Sequence, residues 1–131
     1  MITYRTGVGS VAPNQVSGFF VGWPVPPSAE KLIEVMDSSY RRVWALEGER
    51  VVGYINAISD GVLTAFIPWL EVHPDYQGQG VGTELVNRLV AQLEGMYSID
   101  LACDEDLIGY YERLGFFSFT AMGKRNRDVL R

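Results

Sequence analysis

The stretch Gln77-Gly78-Gln79-Gly80-Val81-Gly82-Thr83 has the residue types and spacing in this chain best suited to chemistry. Glycines at 78, 80 and 82 let the backbone turn tightly with its N–H groups outward, and their missing side chains admit close approach of a ligand. A helix beginning near Val81 adds unpaired N–H donors and a partial positive charge at the same point. A phosphate or pyrophosphate is the natural occupant of such a corner. Two well-known phosphate loops do not fit. A Walker-type loop needs Gly-Lys before Ser or Thr, and Gly82-Thr83 has no lysine. A dinucleotide fingerprint needs Gly-x-Gly-x-x-Gly, and the three glycines fall one residue short. Gly7-Val8-Gly9-Ser10-Val11-Ala12 does match that string, but Pro13-Asn14 follows where a helix should continue. Glu71 and His73 lie just ahead of the glycines. Either could act as a base: Glu71 from the strand, directly or through water, and His73, the only histidine, from a turn position before Pro74. Cys103 has no activating base beside it in the sequence and reads as packing.

The elements that must position these residues follow from periodicity. Ile2–Arg5 suits a short strand, and the Gly- and Pro-rich segment to residue 27 an irregular arm whose Phe19, Phe20 and Trp23 should dock on the core. Ser28 is a good N-cap for a helix running to about Ser38, with Leu32, Ile33 and Met36 on one face. From Arg41 the period changes to two. Residues 43–46 and 51–58 read as a hairpin, Asp60-Gly61 as a tight turn, and Val62–Val72 as a third strand. Pro68 inside that strand cannot donate to a ladder, which predicts a bulge or a break in pairing. Thr83–Leu93 carries an apolar stripe at helical spacing, Leu85, Val86, Leu89, Val90 and Leu93, and Gly95 fits its end. A strand over Ser98–Cys103, a helix over Leu107–Leu114, a strand-like run Phe116–Ala121 and a charged tail, Lys124–Arg131, complete the order. This is an α/β pattern with a mixed sheet.

Composition narrows the class without naming a function. In 131 residues, 47% hydrophobic and 21% charged content is an ordinary globular balance. No apolar run approaches the roughly 20 residues of a membrane helix. One cysteine excludes an internal disulfide and a Cys-cluster metal site, so no metal is expected and a reducing cytoplasm is the default. A net charge of −5 argues against a nucleic-acid surface and suits cationic substrates.

Gln77-x-x-Gly80-x-Gly82, after a strand ending Val72-His73-Pro74 and opening an amphipathic helix, resembles the acyl-coenzyme A pyrophosphate loop of the GNAT acetyltransferase superfamily. Downstream, Tyr110-Tyr111-Glu112-Arg113-Leu114-Gly115-Phe116 resembles that family's C-terminal helix signature. The resemblance runs from Arg41 to Phe119. It implies one domain over residues 1–131, with 1–27 as the N-terminal strand and arm. The fold it implies is a mixed, mostly antiparallel sheet flanked by helices and splayed between its fourth and fifth strands, Val62–Val72 and Ser98–Cys103. Acetyl-CoA is the implied co-substrate. Backbone at Leu70 and Val72 would hold its pantetheine amides and the N–H groups of Gln79, Gly80, Val81, Gly82 and Thr83 its pyrophosphate, with Gln77 and Gly78 completing the loop. Asp104 stands where the family often has a coenzyme-side Asn, and Leu107 where it often has Ala.

The implied chemistry is direct transfer: a neutral amine attacks the thioester carbonyl and the coenzyme A thiolate leaves. Tyr111 matches the family's general acid, with Tyr110 as the neighbouring alternative. Glu71, His73 or a chain of ordered water would take the amine's proton. The acceptor would be a small-molecule amine or a peptide amine, with no nucleic-acid or membrane partner, and a homodimer is compatible with the family. The rival expectation is a coenzyme A-binding regulatory module without turnover.

Overall fold

The computed structural model describes residues 1–130. Six strands and three helices follow one another as β1 (Ile2–Arg5), α1 (Ala29–Asp37), β2 (Arg41–Glu47), β3 (Arg50–Ser59), β4 (Thr64–Ile67), β5 (Leu70–Val72), α2 (Val81–Gln92), β6 (Ser98–Leu101) and α3 (Ile108–Arg113). The sheet order is β1-β2-β3-β4-β6, and β5 pairs with β3 beyond β4. All pairs are antiparallel except β4 with β6. No helix among the described residues is long and apolar enough to cross a membrane.

Local chemistry explains most of the boundaries. Ser28 caps α1 by accepting from the Lys31 amide at 3.1 Å. Gly48 at φ +59° makes the two-residue link between β2 and β3, where Glu47 pairs with Arg50. The link after β3 is longer than a tight turn. One carboxylate oxygen of Asp60 accepts from the amides of Val62, Leu63 and Thr64, which holds Asp60's pKa below the ordinary range. Between Ala45 and Leu46 the register shifts, because Ala45 faces Gly53 while Leu46 faces Val51. Val52 is the extra residue of a bulge.

The sheet is buried on both faces. On one, Val43, Ala45, Ile55 and Ala57 meet Val81, Leu85, Val86 and Leu89 of α2. Leu85 and Leu89 are fully buried, each contributing about 1.5–3 kcal/mol. On the other, Trp44, Leu46, Val51 and Tyr54 meet Leu32 and Met36 of α1, with Phe19 and Phe20 of the arm packed against them. Trp23 stacks at an angle on Phe20 and Trp69. The arm therefore docks as expected.

The single strand expected over Val62–Val72 is two. β4 pairs with β3 at Ile58–Phe66 and Ser59–Ala65, and β5 pairs with β3 at Gly53–Val72, Tyr54–Glu71 and Ile55–Leu70. Pro68 and Trp69 separate them, because Pro68 has no N–H to donate. The α2 helix opens two residues earlier than its stripe alone indicates, and β6 stops at Leu101 rather than Cys103. Phe116–Ala121 forms no strand; Phe117 is 79% exposed, and no neighbouring strand pairs with the segment. Arg127–Leu130 of the charged tail forms one short helical turn, and Arg131 lies outside the described residues.

Candidate functional site

Beyond the Ile67–Leu101 pair the sheet opens, because β6 ends while the chain of β4 continues into β5. The backbone of β5 shows which way its groups point. His73 N–H donates to Val52 at 2.8 Å and Asn56 N–H to Trp69 at 3.2 Å, so residues 69, 71 and 73 bond to β3. By alternation, the N–H and C=O of Leu70 and Val72 point to the opposite, unpaired edge. That edge borders a cavity of about 460 Å³ whose wall includes Leu70, Val72, Val81, Thr83, Tyr110 and Tyr111.

The glycine corner closes one end of this wedge. Gly78 and Gly80 have φ of +76° and +83°, a left-handed conformation that a side chain strains. Gly80 is the N-cap of α2, and its carbonyl accepts the first helical bond, from Glu84 N–H at 3.1 Å. The amides of Val81, Gly82 and Thr83 therefore have no acceptor within the helix, and no side chain caps them. Gly82 faces the wedge wall at ordinary contact distance. A Cβ there would stand 3.5 Å from the Tyr110 hydroxyl and 3.6 Å from Val72 Cγ2. The helix is seated close to the sheet at Gly53, where a Cβ would be 3.1 Å from Leu85 and 3.2 Å from the Glu71 carbonyl. This corner has what an anion needs: open donors, a helix dipole and no competing carboxylate in the wall.

Two tyrosines face the other side of the wedge. The Tyr110 hydroxyl lies 3.0 Å from Thr83 Oγ1 and ties α3 to the start of α2. Tyr111 packs edge-on against Tyr110 and Phe116, and no hydrogen bond engages its hydroxyl among the described residues. Burial, then the neighbouring Tyr110 and Cys103, push its pKa up to about 12, so it stays protonated.

The structure places the remaining candidates differently from one another. Gln77 lines the wedge, but its side-chain amide donates to the Val72 carbonyl at 3.0 Å, latching the loop to β5. Gln79 is exposed and outside the wall. Asp104 does not reach the wedge: it is exposed and caps the turn at Glu105 only through its carbonyl, to Leu107 N–H at 2.9 Å. Cys103 is exposed rather than packed. Both ring nitrogens of buried His73 are engaged, Nε2 by Arg50 at 2.9 Å and Nδ1 by the Asp75 amide at 3.2 Å. Tyr76 also lines the wedge, although sequence reasoning did not place it there, and so does Leu107, at the position where the family often has Ala.

Glu71 turns to the α1 face, away from the wedge. Its carboxylate accepts from the amides of Phe20 at 3.0 Å and Val21 at 3.3 Å, and from the Tyr54 hydroxyl at 2.9 Å. Burial and that carboxylate raise the pKa of Tyr54, which keeps it a donor. Sequence reasoning expected a carboxylate free to take a proton; here its oxygens hold the arm, including Phe20 at an uncommon φ of +59°. Glu71→Gln should raise hydrogen exchange at the Phe20 and Val21 amides about tenfold, since half of the acceptor becomes a donor. Unchanged protection by NMR would remove Glu71 as the anchor.

Residues 10–116 match the family described as the acetyltransferase (GNAT) family. Over 103 residues the chain is 31% identical to the uncharacterised N-acetyltransferase ycf52 of Gracilaria tenuistipitata var. liui, covering 75% of this chain and 57% of that protein. Over 109 residues it is 34% identical to the histone acetyltransferase TAP1 of Glycine max, covering 73% and 47%. The chain thus spans about half the length of these curated relatives. A crystal structure from Deinococcus radiodurans R1, provisionally described as an acetyltransferase, superposes with a TM-score of 0.93. It is 41% identical, over 97% of this chain and 90% of that one.

Proposed function

The chain belongs to the GNAT acetyltransferase family, and on that premise we propose that it transfers an acetyl group from acetyl-CoA to a primary amine. The observation that carries this reading is the continuity of the wedge: an unpaired strand edge, an uncapped helix N-terminus and an unengaged tyrosine hydroxyl share one cavity. Acetyl-CoA, when bound, supplies the acetyl group as an activated thioester. The backbone groups of Leu70 and Val72 take the pantetheine amides, less the Val72 carbonyl that Gln77 occupies. The amides of Val81, Gly82 and Thr83 take the pyrophosphate.

Tyr111 donates a hydrogen bond where negative charge gathers on the departing sulfur. A pKa near 12 lies above that of an ordinary thiol, so the hydroxyl stabilises the thiolate by donation more than by giving up its proton. Glu71 is a positioning residue, and the amine's proton passes to water. A reducing cytoplasm is the compartment in keeping with a lone unpaired cysteine.

One observation favours a second reading, a coenzyme A-binding module without turnover: no carboxylate or imidazole lines the wedge. The two separate in one assay. Protein, acetyl-CoA and a panel of small amines and lysine peptides are mixed, and free thiol is followed. Amine-dependent thiol release is expected. Saturable acetyl-CoA binding with no thiol released by any amine would favour the module.

A further inference from the structure

β6 is the last strand of the sheet, and its outer edge is unpaired among the described residues. Its register shows which groups stand open. Ser98 pairs with Thr64 and donates its N–H to the Leu63 carbonyl at 3.2 Å, so residues 98 and 100 bond toward β4. By alternation, the N–H and C=O of Ile99 and Leu101 point outward. The side chains of Ile99 and Leu101 join the core on the α2 face, which leaves Ser98 and Asp100 on the other. Four open backbone groups beside an apolar row are a template for another strand.

The C-terminal segment has the complementary features. Phe117 and Phe119 are 79% and 55% exposed, and their ring centroids lie 6.2 Å apart, side by side on one face of the run. The backbone of residues 117–122 makes no hydrogen bond among the described residues. Large rings and bare amides left in water together mark a segment that meets a partner. Its own chain does not supply one. The N–H groups of Leu114 and Phe116 donate to the Tyr111 carbonyl and that of Gly115 to Glu112, which closes α3. The run that follows lies off its own β6. Lys124, Arg125 and Arg127 come next, in a chain of net charge −5.

We propose that two copies of this chain exchange these segments, residues 116–121 of each adding as an antiparallel strand to β6 of the other. The arrangement closes on a twofold axis, since each copy gives one segment and receives one. Phe119 then stands opposite Ile99 and Phe117 opposite Leu101, which extends the apolar layer of the α2 face. Thr120 and Ser118 stand opposite Ser98 and Asp100, polar against polar. In this register Ile99 and Leu101 exchange both backbone bonds with their opposites, as their outward groups require. A slip of one residue would turn both rings to the face of Asp100. The same register carries Lys124 toward the exposed Glu94 of the other copy, so charge favours it as well. Acetyl transfer plays no part in the exchange.

Light scattering should find the wild-type chain as a dimer at about 100 µM. Phe119→Pro removes an N–H that the added strand needs and the single chain leaves unpaired. Circular dichroism should therefore be unchanged while the dimer dissociation constant rises at least a hundredfold. Asp100→Cys combined with Ser118→Cys, in a Cys103→Ser background, tests the register. The backbone groups of this pair point away from each other, so its Cα atoms approach to about 4.5 Å, within reach of a disulfide. Oxidation should link two chains through it, and either cysteine alone should link none. A wild-type monomer at that concentration would overturn the exchange. So would a disulfide within one chain, which would put the segment on its own β6. A dimer that Phe119→Pro leaves unchanged would put the interface elsewhere and overturn it too. Should Phe119→Pro disturb the fold, the cross-link decides by itself.

Discussion

Gly80→Glu is expected to abolish saturable binding of acetyl-CoA while the protein remains folded. Nothing lies within 4 Å of a Cβ at this position, so the substitution meets no steric barrier. Its backbone, at φ +83°, costs a non-glycine residue about 1–2 kcal/mol. A carboxylate at a helix N-terminus recovers about 0.3–1 kcal/mol of that by favourable interaction with the dipole and the bare amides of α2. For the folded protein the net cost is about 1 kcal/mol, small beside a domain's stability. For the ligand the effects combine, since the new charge occupies the donors that a pyrophosphate needs and repels what approaches. The affinity should fall at least a hundredfold, about 2.7 kcal/mol, in calorimetry. Gly80→Asn, which tolerates the left-handed conformation and adds no charge, should lose tenfold or less. Wild-type affinity in Gly80→Glu would sink the coenzyme site.

Tyr111→Phe should lower kcat about a hundredfold and leave the dissociation constant of acetyl-CoA within about twofold. The magnitude is set by what the hydroxyl can do. With its pKa pushed up to about 12, Tyr111 remains neutral through the working range and loses its proton only as the pH rises through that value. It therefore contributes no alkaline limb to the rate below about pH 11. As a donor to a developing thiolate it contributes about 1.5–3 kcal/mol, the range for a hydrogen bond to a charged group, and a hundredfold is near the upper end. Tyr110→Phe is the internal comparison. Its hydroxyl is committed to Thr83, so its loss should weaken coenzyme affinity and leave kcat closer to wild type. Equal turnover in Tyr111→Phe and wild type, measured by thiol release, would remove Tyr111 from the chemistry.

The parts of the site legible in the sequence are those set by a few adjacent residues. The break at Pro68 follows from a missing N–H, and the left-handed corner from Gly78 and Gly80. The amphipathic stripe of α2 announces which face it buries, although its first turn was legible only through the glycine before it. Positions whose partners are distant in the chain were not legible. Glu71 alternates onto the α1 face, and its partners Phe20 and Val21 are about fifty residues away, so nothing near it announces a clamp. Gln77 keeps its place beside the ligand corner but turns its amide back onto Val72. Asp104 matched by position alone, and the exposed turn it opens carries it clear of the wedge. Phe116–Ala121 has the alternation of a strand yet lacks a neighbour to pair with, and a strand exists only as one side of a ladder.

By itself, then, the amino-acid sequence determined the order of most elements, the glycine corner, the candidate tyrosine and the family to which these belong, because each depends on local backbone geometry and short-range spacing. Only the tertiary structure decided which way Glu71 faces, and that Tyr110 is tied to Thr83 while Tyr111 is left unengaged. These are outcomes of register and packing. A shift of one residue along a strand turns every side chain to the opposite face, and that register is fixed by contacts between segments far apart in the chain.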